Sequence, residues 1–336
     1  MSGNRVPYHL RTNKFVERQL FMDIISFVRI WNGPCEYVYA SMGGQFLEDF
    51  KAIHDRFGIE QLVSFEMNEV THRRQEFNSP FGFINCLHAT SGEFVESLSD
   101  VLDRDDQCRA IIWLDFAQAN NRGVQLQEYE ALVEKLVPGD VVKITLNANP
   151  QSKYQRWRYQ TNKEFDVLAI DAINEELGPD YRPADEITSK DLKLNTFASL
   201  LARCVQSAAK RGLSDADDYG IVPLGAYRYS DSMHQMLTVT AIVTNDEISE
   251  SIDSDAQFQS WGMHSNDWGQ VHEIRVPDLS SKERGFVNKL IGSKNPKQIH
   301  DAMPFWLEQN EKASLELLVS YIRHHRRYPA FGRIFM

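Results

Sequence analysis

Cysteine is scarce in this chain of 336 residues. The four cysteines, Cys35, Cys86, Cys108 and Cys204, are far apart and form no C-x-x-C pair. A zinc ribbon needs paired ligands of that spacing, and a small disulfide framework needs closely set pairs, so both are excluded. We expect four reduced thiols, most of them buried.

Long apolar runs are also missing. No segment approaches the roughly eighteen uninterrupted apolar residues of a membrane-spanning helix. The N-terminus is basic, with Arg5, Arg11, Lys14 and Arg18, but it lacks the apolar core of a signal peptide. The sequence therefore predicts a soluble protein with no membrane partner, and we expect it in the cytoplasm.

Positive charge is in deficit. The chain has 36 Lys and Arg against 47 Asp and Glu, a formal net charge of -11 at pH 7. Such a chain does not adhere generally to nucleic acid, although local basic clusters can still bind anions. With 42% hydrophobic and 25% charged residues, the composition is that of a globular protein with a sizeable core.

Residues 36–58 predict a strand, a glycine turn and a helix. Tyr37 to Tyr39 favour a β-strand, small residues lead to Gly43 and Gly44, and apolar residues then follow at helical spacing. Adjacent glycines let the backbone approach a ligand closely, and a helix N-terminus offers unpaired N–H groups. In an open α/β sheet such a turn binds a cofactor.

An acid follows the second predicted strand. That strand covers residues 59–65 and ends at Glu66, roughly twenty residues beyond the glycine turn. A carboxylate at this position can accept hydrogen bonds from both hydroxyls of a bound ribose. The two features together indicate a cofactor that contains a nucleoside.

Strands and helices continue to alternate along the chain. Further strands are expected over residues 83–87, 109–114 and 141–146, and a hairpin over 219–229 and 235–244. Short right-handed crossovers give parallel strands. The predicted fold class is α/β: a Rossmann-like seven-stranded sheet, with five parallel strands and a closing antiparallel hairpin, flanked by helices, with a helical insertion and C-terminal helices.

We divide the chain into three segments. Residues 1–34 are an N-terminal arm and helix, residues 35–245 are the Rossmann-like domain with an insertion over 151–195, and residues 246–336 are a C-terminal loop and helical region. Residues 245–270 are acidic and polar and are expected to be a surface loop. No metal site is expected there, because two histidines eight residues apart without further ligands are weak evidence for one.

Several short motifs together resemble a known family. They are Tyr8-His9-Leu10-Arg11, Ser41-Met42-Gly43-Gly44, Phe65-Glu66-Met67, Trp113-Leu114-Asp115-Phe116 and Thr145-Leu146-Asn147-Ala148. With the order of strands, they make residues 35–245 resemble the class I S-adenosylmethionine-dependent methyltransferases, close to a bacterial group labelled "putative O-methyltransferase". The resemblance implies a methyltransferase with S-adenosylmethionine as its cofactor.

The family pattern also implies roles for individual residues. Gly43 and Gly44 turn beneath the methionine part of the cofactor, Glu66 holds the ribose, and Asp115 lies nearest the methyl group. The other implied cofactor residues are Ser41, Met42, Met67, His88, Ala89 and Thr90, the last three forming the loop on the adenine side. The chain departs from the pattern at Tyr39 and Ser41, where most members have an acid and a further glycine.

Methyl transfer is an in-line displacement at a sulfonium, so the protein aligns donor and acceptor and removes a proton where the acceptor requires it. Asp115 is the candidate base or orienting group, and the alternative is a structural aspartate beside a helix. Gln118, Asn147 and Asn149 are candidates to position an O- or N-nucleophile. No set of metal ligands is evident, so no metal is predicted.

Basic and aromatic residues are interleaved in three segments, residues 5–18, 153–163 and 323–333. The first segment offers Tyr8, His9, Arg11 and Lys14 to a substrate, and the second offers Arg156 and Arg158. Local clusters of this kind can focus an anion on an acidic chain. The expected acceptor is therefore a nucleotide-containing molecule or the acidic surface of a protein partner, and the alternative is three separate solvated patches.

Two other functions fit parts of the pattern. A non-catalytic sensor or interaction component that keeps the fold and the cofactor is consistent with Tyr39 and Ser41 and with the long C-terminal helical region. A nicotinamide dehydrogenase also combines a glycine turn with a ribose acid, but the G-x-G-x-x-G spacing is missing here.

Overall fold

One eight-stranded sheet runs through the molecule. The computed structural model describes residues 10–102, 107–119, 121–150, 162–230 and 234–329, with the side chains of residues 162–166 left out of the description. The strands are β1 (Glu36–Ser41), β2 (Gln61–Phe65), β3 (Ile84–Leu87), β4 (Cys108–Asp115), β5 (Val141–Asn147), β6 (Gly220–Ser230), β7 (Gln235–Thr244) and β8 (His272–Ile274).

Thirteen α-helices lie in the described part of the chain. They are α1 (Thr12–Trp31), α2 (Glu48–Phe57), α3 (Glu69–Asn78), α4 (Ser91–Glu96), α5 (Leu98–Val101), α6 (Arg122–Val133), α7 (Asn162–Tyr181), α8 (Phe197–Gly212), α9 (Asp246–Ser254), α10 (Ala256–Gln259), α11 (Ser281–Leu290), α12 (Pro296–Asp301) and α13 (Glu311–His324).

The strand order is β3-β2-β1-β4-β5-β7-β6-β8. The first five strands are parallel to one another, and β7 is antiparallel to both β5 and β6. This confirms the Rossmann-like α/β sheet with its closing hairpin. The strand count differs from the predicted seven, because β8 adds to the edge of β6 in parallel. With three residues, β8 is too short to show an alternating pattern.

Helices cover both faces of the sheet. α1, α2 and the C-terminal helices pack on one face, and α4 to α8 pack on the other. In β4, Ile111 and Trp113 point to the first face while Ile112 and Leu114 point to the second, and all four are fully buried. Burial on both faces explains why the sequence of this strand is an unbroken apolar run.

The segment 245–270 is not the expected surface loop. It forms α9 and α10, and Phe258 and Trp268 are only 2% and 6% exposed. His272 Nε2 lies 2.8 Å from the carbonyl oxygen of His264. Phe258 belongs to the core that packs on α1 and Trp268 to the core on the opposite face of the sheet, which is why a segment so rich in acidic residues still folds against the sheet.

Among the described residues no disulfide joins the cysteines, and Cys108 and Cys204 are buried while Cys35 and Cys86 are partly buried. Burial raises the pKa of Cys204 to about 12, which keeps this thiol protonated and inert. Within the described residues, no helix combines the length and the apolar character that crossing a membrane requires.

Candidate cofactor and methyl-transfer site

The polar residues predicted at strand ends meet along one edge of the sheet. Ser41 pairs with Ser64 of β2 and with Trp113 of β4, and Asp115 pairs with Thr145 of β5. Because these strands are parallel, their carboxyl ends face the same way. The glycine turn, Glu66, Asp115 and the end of β5 therefore lie side by side, at the edge where open α/β sheets bind ligands.

The glycine turn has left-handed backbone geometry at three positions. Gly43 has a φ of 58°, Gly44 of 56° and Leu47 of 49°. A Cβ atom on Gly43 would lie 2.5 Å from Ser64 Oγ, so this glycine is required by its space as well as by its φ. α2 begins directly after the turn, and its first turn contains the acids Glu48 and Asp49.

Two buried polar atoms beside this turn have no hydrogen-bond partner among the described residues. They are Ser64 Oγ and Gln75 Oε1, and both side chains are fully buried. Gln75 Nε2 donates to the carbonyl oxygen of Met42 at 3.1 Å, which holds the turn against α3. Buried polar groups normally have hydrogen-bond partners. Two atoms without one beneath a glycine turn are consistent with a polar ligand bound there.

The second predicted cofactor element, Glu66, is partly buried. Its Oε1 accepts a hydrogen bond from the Asn68 N–H at 2.8 Å. Burial raises the pKa of Glu66 above its ordinary value, although this hydrogen bond and the nearby histidines oppose the shift. Met67, the next residue, is 66% exposed and open to a ligand.

The loop after β3 is tied to this acid. His88 Nε2 lies 3.1 Å from the carbonyl oxygen of Met67, and the His88 ring stacks on His72. Thr90 caps α4, because its Oγ1 accepts from the Glu93 N–H at 3.2 Å while Glu93 accepts from the Thr90 N–H. The side chain of Thr90 therefore has a structural partner, and Ala89 between them is partly buried.

Asp115 at the end of β4 is held by two cations from α1. Its Oδ2 lies 3.8 Å from Lys14 Nζ and 3.3 Å from an Arg18 nitrogen, and 28% of its side chain is exposed. Burial alone raises the pKa of Asp115, but the charges of Lys14 and Arg18 and a hydrogen bond to Thr145 outweigh it, so the pKa is lowered. Asp115 is a carboxylate at neutral pH.

A second ionic layer lies beneath Asp115 and is closed to solvent. Lys143 Nζ is 2.7 Å from Glu17 Oε1, and both side chains are fully buried. Thr238 Oγ1 donates to the same Glu17 oxygen at 2.9 Å, and the Lys143 ammonium lies 3.7 Å from the centre of the Trp113 ring. Burial lowers the pKa of Lys143 to about 8, although Glu17 opposes this shift.

The residues predicted to position the acceptor differ in their exposure to solvent. Gln118 is exposed, whereas Asn147 is 3% exposed and its Oδ1 accepts from the Asn149 N–H at 3.0 Å. The buried Arg122 donates to the carbonyl oxygens of Asn147 and Asn149 at 2.8 and 3.2 Å. Asn147 thus shapes the loop after β5, and Gln118 and Asn149 are the more open candidates.

The first basic segment reaches this edge through α1. Arg11 immediately precedes α1, and Lys14 lies in its first turn beside Asp115. The predicted substrate residues Tyr8, His9, Arg156 and Arg158 lie outside the residues that the structure describes.

The sequence did not predict that four buried charged residues would lie at this site. They are Glu17, Arg18, Asp49 and Lys143. A usable signal was present, since Glu17 and Arg18 interrupt an apolar helix and Lys143 interrupts an apolar strand. Charges at core positions are buried only when they are paired.

A cleft of about 650 Å³ opens beside the same edge, at the ends of β6 and β7. Gln235 in its wall donates through Nε2 to the carbonyl oxygen of Ala148, just after β5, at 3.3 Å. Two ion pairs, Arg228–Glu273 and Arg275–Glu308, balance the charge of the wall. Its volume is that of a small-molecule site.

One group of metal-type ligands lies elsewhere among the described residues, on α12 and α13. It consists of His300, Asp301 and Glu311. Lys297 Nζ pairs with Asp301 at 2.8 Å and with Glu311 at 2.5 Å. An ammonium group already neutralises these carboxylates, so this group has no need of a metal ion.

A Rossmann-like sheet with a glycine turn and acids along its carboxyl edge has the geometry of a nucleotide-cofactor site. The family model described as "Putative O-methyltransferase" matches residues 6–336. This chain belongs to that family. The match extends over the N-terminal helix and the C-terminal helices as well as the sheet, and it confirms the methyltransferase prediction. No curated protein matches the chain.

Two solved structures are similar to part of this chain at low sequence identity. The plantazolicin methyltransferase BpumL, in complex with a triazolic desmethylPZN analogue and SAH, is 11% identical over 69% of this chain and 86% of that chain, with a TM-score of 0.37. LepI C52A, in complex with SAH and a substrate analogue, is 10% identical over 64% of this chain, with a TM-score of 0.32. The chain spans about half of LepI, 46% of its length.

Proposed function

We propose that this protein is an S-adenosylmethionine-dependent methyltransferase whose cofactor lies along the carboxyl edge of β1, β2 and β4. The observation that carries the proposal is the glycine turn with two unpaired buried polar atoms beneath it, in line with Glu66 and Asp115. The cofactor, when bound, supplies an activated methyl group on a sulfonium. The family match supports the reaction class.

The cofactor-binding residues form two groups, one at the glycine turn after β1 and one at the ends of β2 and β3. The backbone at Gly43 and Gly44 receives the methionine part closely, because both glycines have left-handed geometry and no side chain. Glu66 accepts hydrogen bonds from the ribose hydroxyls. Met67 and the loop from His88 to Thr90 enclose the base. Ser41 and Met42 complete the turn.

Asp115 orients the acceptor instead of removing its proton. An effective general base has a pKa near the working pH, and the pKa of Asp115 is held below its ordinary value by Lys14 and Arg18. A fixed carboxylate beside the transfer site can accept a hydrogen bond from a hydroxyl or amine and align its lone pair with the methyl group. Gln118 and Asn149 assist this alignment.

We further propose that the acceptor is a nucleotide-containing molecule or an acidic protein surface. Arg11 and Lys14 stand at the same edge as Asp115 and supply positive charge there. Arg156 and Arg158 extend this positive charge along the sequence. The three basic segments favour an anionic partner despite the acidic chain.

The Glu66→Ala variant tests the cofactor site. Losing one partner of the ribose hydroxyls costs about 1–3 kcal/mol of binding free energy, or roughly tenfold to hundredfold in affinity. Calorimetry with S-adenosylmethionine measures this loss. Glu69→Ala is the matched control, because Glu69 pairs with Arg73 on the exposed face of α3. Equal affinities for wild type and Glu66→Ala would rule out this assignment.

A second function, a cofactor-binding sensor that transfers no methyl group, is favoured by one observation. The position that carries an acid in most members is occupied by Tyr39, a fully buried residue. Incubation with radiolabelled S-adenosylmethionine and candidate metabolites, tRNA, DNA or lysate proteins separates the two functions. Methyl incorporation that is lost in Asp115→Ala would exclude the sensor.

A further inference from the structure

The guanidinium group of Arg18 joins several elements around the proposed cofactor site. Arg18 of α1 lies 3.3 Å from Asp115 Oδ2, and its Nε lies 3.8 Å from Asp49 Oδ1. Its NH1 also donates to Glu17 at 2.6 Å and to the Tyr229 hydroxyl at 3.2 Å. Arg18 therefore contacts β4, α2 and β6 from a single position on α1.

The Arg18 side chain is fixed in place and removed from solvent. Only 3% of its surface is exposed, and its guanidinium lies 4.3 Å from the centre of the Trp113 ring. Trp113 is itself held, because its indole N–H donates to Thr145 Oγ1 at 2.9 Å. A planar fork that is stacked and buried presents its donors in one direction, which a lysine cannot reproduce.

The two carboxylates that Arg18 bridges come from different elements of the proposed cofactor site. Asp49 is in the first turn of α2, directly after the glycine turn, and Asp115 ends the neighbouring strand β4. The start of α2 and the tip of β4 are therefore tied to the same guanidinium.

Asp49 also lies at the place where the chain departs from the family pattern. Burial and then the nearby carboxylate of Asp49 raise the pKa of the Tyr39 hydroxyl. The acid that most members carry on the first strand is thus replaced by Tyr39, and a carboxylate from α2 stands beside it. Arg18 neutralises this carboxylate and holds it there.

We infer that Arg18 is a positioning residue for methyl transfer, which fixes the start of α2 relative to the tip of β4 by bridging Asp49 and Asp115. The inference rests on the proposed function. It assigns to α1, which lies outside the sheet of a Rossmann-like unit, a direct part in building the site. Arg18 acts through the two carboxylates.

The ionisation of Asp115 gives a readout that a purely structural role would not change. The charged and titratable groups around it are Lys14, Glu17 and Arg18 from α1, Asp49 from α2, Tyr39 from β1, Lys143 from β5 and Tyr229 from β6. Removing the Arg18 charge raises the pKa of Asp115. Keeping the charge but losing the fork leaves that pKa lowered.

The experiment compares Arg18→Lys and Arg18→Met by calorimetry with S-adenosylhomocysteine between pH 4.5 and 8. We expect both variants to lose about tenfold in affinity at neutral pH, the loss from a few misplaced contacts. In Arg18→Met only, affinity should fall toward the acid end of this range, because the wild-type and Arg18→Lys proteins keep the pKa of Asp115 below 3.8, outside the range. Arg56→Met is the matched control, because Arg56 joins α2 to Asp23 of α1 at 2.7 Å, away from the cleft.

A double-variant cycle decides the outcome if Arg18→Met fails to fold. If Arg18 acts through Asp115, the Arg18→Lys/Asp115→Asn protein should bind S-adenosylhomocysteine no more weakly than the single variant with the lower affinity. Losses that multiply, or an Arg18→Lys protein that binds like wild type, would overturn the inference. Absence of binding by the wild type would instead remove the proposed function itself.

Discussion

At position 43 a side chain meets two obstacles, the left-handed backbone and the lack of space. A Cβ there would lie 2.5 Å from Ser64 Oγ and 2.7 Å from Leu47 Cδ2, at a φ of 58°. Gly58 has a similar φ of 69° but no neighbouring atom within 4 Å. This pair separates the cost of the backbone from the cost of crowding.

Gly43→Ala should therefore destabilise the protein more than Gly58→Ala. We expect about 1–2 kcal/mol for the left-handed conformation alone in Gly58→Ala. Crowding should add about 1–3 kcal/mol in Gly43→Ala. Urea denaturation measures both losses. Equal losses in the two variants would contradict the crowding around Gly43.

His324, near the end of α13, makes the fold sensitive to acid. The side chain is 1% exposed, and neither ring nitrogen has a hydrogen-bond partner among the described residues. Burial, followed by the charges of Arg327 and Arg323, lowers the pKa of His324 from 6.5 to about 4. The unfolded chain therefore binds a proton between these values that the folded chain does not.

It follows that the free energy of unfolding falls as pH decreases from 6.5 to about 4. The contribution of this histidine is about 1.4 kcal/mol per pH unit in that window. His324→Phe should flatten the dependence, as measured by urea denaturation at pH 6.5 and 4.5. His234→Asn, at an exposed position, is the control. A slope unchanged in His324→Phe would disprove the assignment.

Among the helices, two arginines tie α6 to its neighbours in contrasting surroundings. Arg122 pairs with Glu176 of α7 at 3.2 Å, with 1% and 2% of the side chains exposed. Arg211 of α8 pairs with Glu130 of α6 at 3.1 Å, but it is 47% exposed. A buried charge that loses its partner is strongly destabilising, whereas a surface pair contributes little.

Arg122→Met should cost about 3–5 kcal/mol of stability, because it leaves Glu176 buried and unpaired. Arg211→Met should cost less than about 1 kcal/mol. Chemical denaturation of both variants tests the contrast. The double variant Arg122→Met/Glu176→Gln should recover part of the loss. A small loss in Arg122→Met would show that water reaches Glu176.

The whole molecule carries a net charge of -11, so an anionic acceptor can be held only by local positive charge. Affinity for such an acceptor should fall about tenfold or more between 50 and about 200 mM salt, if a few phosphates are contacted. Arg156→Glu/Arg158→Glu should lose this dependence and still bind the cofactor. Titrations with tRNA and with mononucleotides measure it.

Lys282→Glu/Lys289→Glu on α11 is the matched control, because it changes the net charge equally at exposed positions. Acceptor binding in that control should keep its salt dependence. If the Arg156→Glu/Arg158→Glu protein binds and methylates every acceptor as wild type does, the anionic acceptor is excluded. A neutral small molecule in the charge-balanced cleft would then be favoured.

The sequence by itself determined the features that depend on near neighbours along the chain. Strand and helix periods, Gly43 and Gly44, and Glu66 and Asp115 at strand ends are all local patterns. Because parallel strands end at one edge, these patterns were enough to predict the sheet, its closing hairpin and the edge that carries the proposed site. The family match confirmed the function class that the motifs implied.

Only the tertiary structure decided which charges meet at that edge. Arg18 and Asp115 are 97 residues apart, and Glu17 and Thr238 are 221 apart. The local pattern indicates that Glu17 and Arg18 interrupt the apolar face of α1, but it does not show which distant atoms that face meets. β8 and the burial of Trp268 depended in the same way on packing between distant segments. A buried charge is affordable only with its partner in place, so these pairs exist only once the chain has folded.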